Sequence, residues 1–128
     1  LDKNLNVAID SEHVSQIIKY LVENAIQSFS DFTSNKNTKS QSTQKVILYV
    51  SADIDNKVII IKVIDNGCGI PKDDQSKIFD PFFTTKNKKT GIGLGLNITK
   101  RLTEEIGGTI EVNSTRDIGS LFRLTLPL

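Results

Sequence analysis

A chain of 128 residues, 38% apolar and 24% charged, has room for one domain around a single modest core. Sixteen lysines and arginines against fifteen acidic residues leave a net charge of +1, which argues against the broad basic face of a nucleic-acid binder. No run approaches membrane-spanning length and no signal-like start is present, so no membrane contact by this stretch is expected; the single cysteine, Cys68, excludes an internal disulfide and a CxxC redox pair, and with the single histidine, His13, it cannot build a zinc cluster.

Taken in chain order, "NLNVAID" (4–10) has the composition of a short strand. A helix follows over 11–29, where Val14, Ile17, Ile18, Leu21, Val22, Ala25, Ile26 and Phe29 recur at spacings of three and four and form one apolar stripe. Asp10 or Ser11 can cap its start, and Glu12 suits its positive end. The polar stretch 34–45 reads as a surface loop. The period then changes to two: "VILYVSA" (46–52) and "VIIIKVID" (58–65) are predicted strands, with "DIDNK" as the turn and Asn56 as its left-handed residue. "PKDDQSKIF" holds one short helix, and "TTKNKKTG" is a basic loop. A second helix is expected from about Leu94 to Glu105, with Ile98, Leu102 and Ile106 on its buried side and the glycine pair 107–108 at its end. "TIEVN" and "LFRLTLPL" are two more strands, joined by the turn "TRDIG". Hairpins thus dominate, and two long helices cannot cover both faces of a sheet. The expected fold is α+β: a two-layer sandwich of one mixed, mostly antiparallel sheet with helices on one face.

Three features point to chemistry. "DNGCGIP" places Asp65 at the end of an apolar strand. A lone D-x-G is a turn former, but a buried carboxylate needs a partner, such as an amine of a ligand. Gly67 and Gly69 let a backbone approach a flat ligand without a Cβ in the way. In "TGIGLGLNITK", Gly91, Gly93 and Gly95 alternate and lead into a helix, whose free amides favour phosphate. The plainer reading is a flexible linker with a close helix contact. The spacing lacks the G-K-[ST] ending of a Walker loop and the βαβ frame of a dinucleotide fingerprint. Asn24, with Tyr20 and Gln27, lies on a flank of the first helix's apolar stripe. Its amide oxygen suits magnesium, an ion held by few protein ligands plus phosphates. Lys86, Lys88 and Lys89 are either a solvated face or a neutralising patch for a polyphosphate. Together they point to a nucleoside triphosphate held with magnesium.

Five ordered motifs carry a resemblance over about Val7 to Leu128: "YLVENAIQSF", "DNGCGIP", "IFDPFFTTK", "GIGLGLNITKRL" and "GGTIEVNSTRDIGSLFRLTLP". In these the chain resembles the catalytic and ATP-binding domain of sensor histidine kinases, within the superfamily shared with gyrase, Hsp90 and MutL. The resemblance implies the Bergerat-type fold over 1–128 and ATP with magnesium as ligands. It implies that Asn24 coordinates magnesium, that Asp65 accepts a hydrogen bond from the adenine amino group, and that Gly67, Gly69 and Ile70 shape the adenine wall. Ser120 takes the place of a family threonine beside that aspartate. Phe83 belongs to the segment flanking the ATP lid, Lys86 closes the "TTK" segment, and Gly91, Gly93, Leu94, Gly95 and Leu96 border the triphosphate. Two positions depart from the pattern. Tyr20 stands where many sensor kinases carry asparagine and gyrase-like ATPases a glutamate, and a phenol is a poor general base at neutral pH. Gln27 stands where several relatives carry a phosphate-touching lysine, a role that Lys86, Lys88 or Lys89 can take.

The resemblance also implies partners: a phosphoacceptor and dimerisation domain of the same protein, and through it the receiver domain of a response regulator. No nucleic acid is implied. The domain would be cytoplasmic, within a parent that can be membrane-anchored. No acceptor histidine on a helical pair is present, so this piece is expected to bind ATP and barely to autophosphorylate. The alternatives are an ATPase module of the gyrase or MutL type, an anti-sigma-type serine kinase, and a non-catalytic nucleotide-binding or interaction domain.

Overall fold

The computed structural model describes residues 11–33, 43–81, 83 and 95–128. The expected strand over 4–10, most of the polar stretch 34–45 and the basic loop lie outside them. Helix α1, Ser11–Thr33, leads into the hairpin of β1, Val46–Asp53, and β2, Val58–Asp65. A single turn of helix, α2 (Lys72–Gln75), and a second long helix, α3 (Gly95–Glu105), precede the closing hairpin of β3, Thr109–Thr115, and β4, Gly119–Pro127. The strands form one sheet in the order β1-β2-β4-β3, and every described pair is antiparallel. This is the expected α+β sandwich, with α1 and α3 packed together on one face.

Period two explains the layers. On β2, Ile61, Val63 and Asp65 are buried, and their partners on β4 are Leu124, Phe122 and Ser120. Successive side chains of a strand alternate faces, so these three rungs share the face that meets the helices. Above them lie Ile17, Leu21 and Ala25 of α1, spaced by four and essentially without solvent contact. Each fully buried side chain of leucine size contributes about 1.5–3 kcal/mol of transfer free energy. The outer face carries a charged row, in which Lys62 pairs with Arg123 and Arg123 with Glu111 in adjacent registers, beside the exposed Ile47 and Tyr49 of β1. Lys62 also lies 5.9 Å over the Tyr49 ring.

One local expectation is widened and one corrected. The buried side of α3 holds more than the row Ile98, Leu102, Ile106, all three of which belong to the core or pack against it. Thr99 and Thr103 are fully buried beside Leu102, while Ile98 and Ile106 are half-buried. The threonine hydroxyls donate to carbonyls one turn back, Thr99 to Gly95 and Thr103 to Thr99, each at 2.7 Å. With their one donor satisfied, these side chains pack as small apolar groups. In the β1–β2 turn, the left-handed residue is Lys57, at φ 56°, and not Asn56. Asn56 instead donates twice to Asp53, from its backbone N–H at 3.1 Å and from Nδ2 at 2.7 Å. Those bonds hold Asn56 in place and pass the left-handed step to the next residue. At the end of α3, the N–H of Gly107 donates to Glu104 and that of Gly108 to Thr103, the expected glycine stop.

Candidate functional site

The last core-facing rung of β2 is a carboxylate. Asp65 is 5% exposed and pairs across the sheet with Ser120, so the apolar row ends in two polar side chains. Asp65 Oδ1 accepts the Gly67 N–H at 2.9 Å and the Ser28 hydroxyl at 3.3 Å. Ser28 comes from α1 and is itself buried; its hydroxyl also lies 2.6 Å from the Ala25 carbonyl. It has one proton for those two acceptors. The carboxylate is therefore aimed from two sides, by its own loop and by the helix above.

Gly67 makes that approach possible. A Cβ built there would stand 2.0 Å from Ser28 Oγ and 2.8 Å from Ser28 Cβ. Gly69 has a different requirement: its φ of 70° lies in the left-handed region, and an added Cβ would also meet the Thr115 carbonyl oxygen at 2.1 Å. The loop that follows is fastened to the β3–β4 hairpin. The Asp117 N–H donates to the Cys68 carbonyl at 2.6 Å, and the Ile70 N–H donates to Ser114 Oγ at 2.8 Å. Ser114 Oγ lies 2.8 Å from Ser120 Oγ and 3.0 Å from the Gly119 carbonyl. Ile70 is half-buried and packs on the core. The predicted residues Asp65, Gly67, Gly69, Ile70 and Ser120 are thus one connected group.

Helix α1 carries the rest of the described site. Tyr20, Asn24 and Ser28 recur every four residues and so lie along one line of the helix. Ser28 marks the Asp65 end. Tyr20 marks the other: a Cβ built on Gly95, the first residue of α3, would sit 3.8 Å from the Tyr20 ring. Asn24 stands between them, half-buried, and the line from Ser28 to Tyr20 measures about 12 Å at the helical rise. Gln27 is half-buried one residue before Ser28. Leu96 and Phe83 are half-buried and pack against the core. Lys86, Lys88, Lys89, Gly91, Gly93 and Leu94 lie outside the described residues.

Among the described residues no group of three or more His, Cys, Asp or Glu side chains could hold a metal. His13 is not at the site; its Nε2 lies 3.2 Å from Glu105 and links the start of α1 to the end of α3. The Asp53 carboxyl is held below its ordinary range by its hydrogen bonds from Asn56, and it belongs to the remote β1–β2 turn. The sequence reading missed Ser28, Gln75 and Ser114. The sequence offers no signal for them, because each acts on residues far along the chain.

A family model described as "Histidine kinase-, DNA gyrase B-, and HSP90-like ATPase" matches residues 9–128. The sensor protein TorS of Escherichia coli is 32% identical over 93% of this chain, and the sensor histidine kinase ZraS of the same organism is 34% identical over 95%. The chain spans only 12% and 23% of those two proteins. Among solved structures, the nucleotide-free catalytic domain of the histidine kinase ThkA superposes with a TM-score of 0.72 at 28% identity, covering 98% of this chain and 73% of that one. Full-length ShkA in complex with AMPPNP gives 0.71 at 27% identity, covering 90% and 21%.

Proposed function

Because this chain belongs to the histidine kinase-, DNA gyrase B- and HSP90-like ATPase family, as an ATP-binding catalytic domain of the histidine-kinase kind, we propose that its site holds ATP with the adenine at Asp65 and the phosphates toward the start of α3. The observation that carries this reading is the Ser28–Asn24–Tyr20 line of α1, which leads from the buried carboxylate to Gly95.

The residues suit each part of that ligand. Asp65 is an acceptor fixed at the end of a strand, and the amino group of adenine is a donor. Gly67 and Gly69 leave the floor beside it without side chains, as a flat base requires. Ile70 supplies an apolar wall, and Ser120 adds a hydroxyl beside the carboxylate. A hard ion that keeps waters and phosphate oxygens as its main ligands needs little from the protein. One amide oxygen, that of Asn24, fits such a shared magnesium better than a dedicated all-protein cage would. Leu96 and Phe83 exclude water on the core side. The lysines Lys86, Lys88 and Lys89 and the residues Gly91, Gly93 and Leu94 are assigned to the triphosphate, with Gln27 and Tyr20 as additional polar contacts. Tyr20 positions and does not act as a base, since a phenol is a weak proton acceptor at neutral pH.

When bound, ATP supplies the γ-phosphoryl group. In the longer protein the acceptor is a histidine of its own dimerisation domain, and a response-regulator receiver domain takes the group onward. The contribution of this domain is alignment and charge neutralisation, the main requirements of phosphoryl transfer.

Calorimetry with Mg-ATP and Mg-GTP tests the base assignment. Wild-type protein prefers ATP, because the carbonyl of guanine faces a carboxylate where adenine offers a donor. Asp65→Asn is expected to bind ATP about tenfold or more weakly and to lose most of that preference. Unchanged affinity and unchanged preference would reject Asp65 as the adenine anchor.

A further inference from the structure

The loop from Asp65 to Ile70 is anchored at its beginning by β2. At its far end it is anchored by one side chain that no motif reading selects. Gln75, the last residue of α2, donates from Nε2 to the Ile70 carbonyl at 3.0 Å and to the Ser114 carbonyl at 2.9 Å. One amide nitrogen thus ties the loop to β3. Beside it, Ser114 returns the contact by accepting the Ile70 N–H at 2.8 Å. Ile70 therefore has both backbone polar groups engaged, its N–H by Ser114 and its C=O by Gln75. Ser114 Oγ also lies at hydrogen-bond distance from Ser120 Oγ, whose residue pairs with Asp65.

We propose that Gln75, together with Ser114, is a positioning residue of the nucleotide site: the pair clamps the Gly67–Ile70 loop onto the β3–β4 hairpin in the conformation that admits the base. The proposal rests on the ATP reading above and adds to it a specific control of affinity. The chemistry favours this role over mere packing. Gln75 is half-buried and spends both N–H bonds of its amide nitrogen on backbone carbonyls of two separate elements. A side chain of the same size without a donor takes the Gln75 bond from two carbonyls and leaves the loop with its two hairpin bonds and the Cys68 N–H bond to the Ser28 carbonyl. The binding-competent loop then becomes a fraction of the population, and apparent affinity falls by that fraction.

The test uses Gln75→Met, which keeps the volume and removes the donor, and Ser114→Ala, which removes the reciprocal acceptor. Cys68 is the only cysteine and sits in the clamped loop, so its alkylation rate reports loop opening without any nucleotide. Each variant is expected to bind Mg-ATP about three- to tenfold more weakly, the range that one or two hydrogen bonds supply. Cys68 is expected to react faster by a similar factor in the ligand-free protein, with protection restored at saturating ATP and circular dichroism unchanged. Wild-type affinity together with wild-type alkylation in both variants overturns the proposal. Loss of the folded spectrum in both variants also overturns it, because it assigns the pair to folding and not to the site. If wild-type protein binds no ATP, the nucleotide reading fails, and alkylation of the ligand-free variants still decides whether the clamp exists.

Discussion

Gly67 and Ser28 occupy one volume between them. A methyl group at position 67 would lie 2.0 Å from Ser28 Oγ, 2.8 Å from its Cβ and 3.1 Å from Asp65 Oδ1. Either the loop or α1 must shift to admit it. We expect Gly67→Ala to destabilise the protein by about 1–3 kcal/mol, the usual cost of overpacking a tight site. We expect it also to weaken ATP binding by at least about tenfold, because the displaced atom is next to the carboxylate proposed to take the base. Adding Ser28→Ala removes the nearest clashing atom, though Cβ remains, so the double variant should recover part of the stability lost by the single one. Denaturant unfolding of the four proteins of this cycle measures the coupling, and strict additivity would show that the two positions do not compete for the same space. The Asp65 motif itself is legible in the sequence as a carboxylate closing an apolar strand. Its second partner is not, since Ser28 lies 37 residues earlier on a helix whose apolar stripe gives no special reading to a serine.

The elements explain why those residues stand where they do. β2 buries Ile61, Val63 and Asp65 on one face because the strand period is two, and the same period extends the core into the site without a break. α3 shows the limit of such reading. Its stripe looks like isoleucine and leucine at spacings of four, yet two threonines that satisfy their hydroxyls inside the helix occupy the tightest part of the contact. Hydropathy ranks threonine as polar, but a helix can neutralise its hydroxyl and leave a small branched side chain. The β1–β2 hairpin gives a test at this scale. Asp53 is held below the ordinary carboxylate range first by the side-chain amide of Asn56 and then by its backbone N–H. A carboxyl with a depressed folded pKa contributes stability above its unfolded value and loses it as pH falls through the folded one. In Asn56→Ala the Asp53 resonance should therefore titrate at higher pH, and the acid-side slope of hairpin stability should shrink. NMR titration of the carboxyl carbon reads this directly; an unmoved midpoint would show that the asparagine is not its cause.

At the scale of the molecule, the core and the site share one face of one sheet. Phe122, 1% exposed, pairs with Val63 one rung from Asp65–Ser120 and meets the Phe79 ring edge-on at 6.5 Å and 87°. Lys100 of α3 lies 5.6 Å over the other partner, Phe79. Truncating Phe122 leaves a cavity beneath the proposed nucleotide site. Phe122→Ala should cost about 3–5 kcal/mol in denaturant unfolding. Saturating Mg-ATP should return part of that loss, because a ligand bound only by the folded form stabilises it by mass action. A cost below about 1 kcal/mol would mean that this ring is not central to the packing. What the residues alone determined here is the inventory: which stretches are helix or strand, the two-layer arrangement they require, and the ordered motifs that mark an ATP-binding domain. The elements and their layering follow from periodicity and composition, which are local and written along the chain; the motifs mark that domain through their resemblance to a known family. The tertiary structure alone decided which distant side chains converge on the loop. Ser28, Gln75 and Ser114 act on partners 37, 39 and 44 residues away. A hydrogen bond across such a separation exists only after packing has fixed the relative placement of α1, α2 and the closing hairpin.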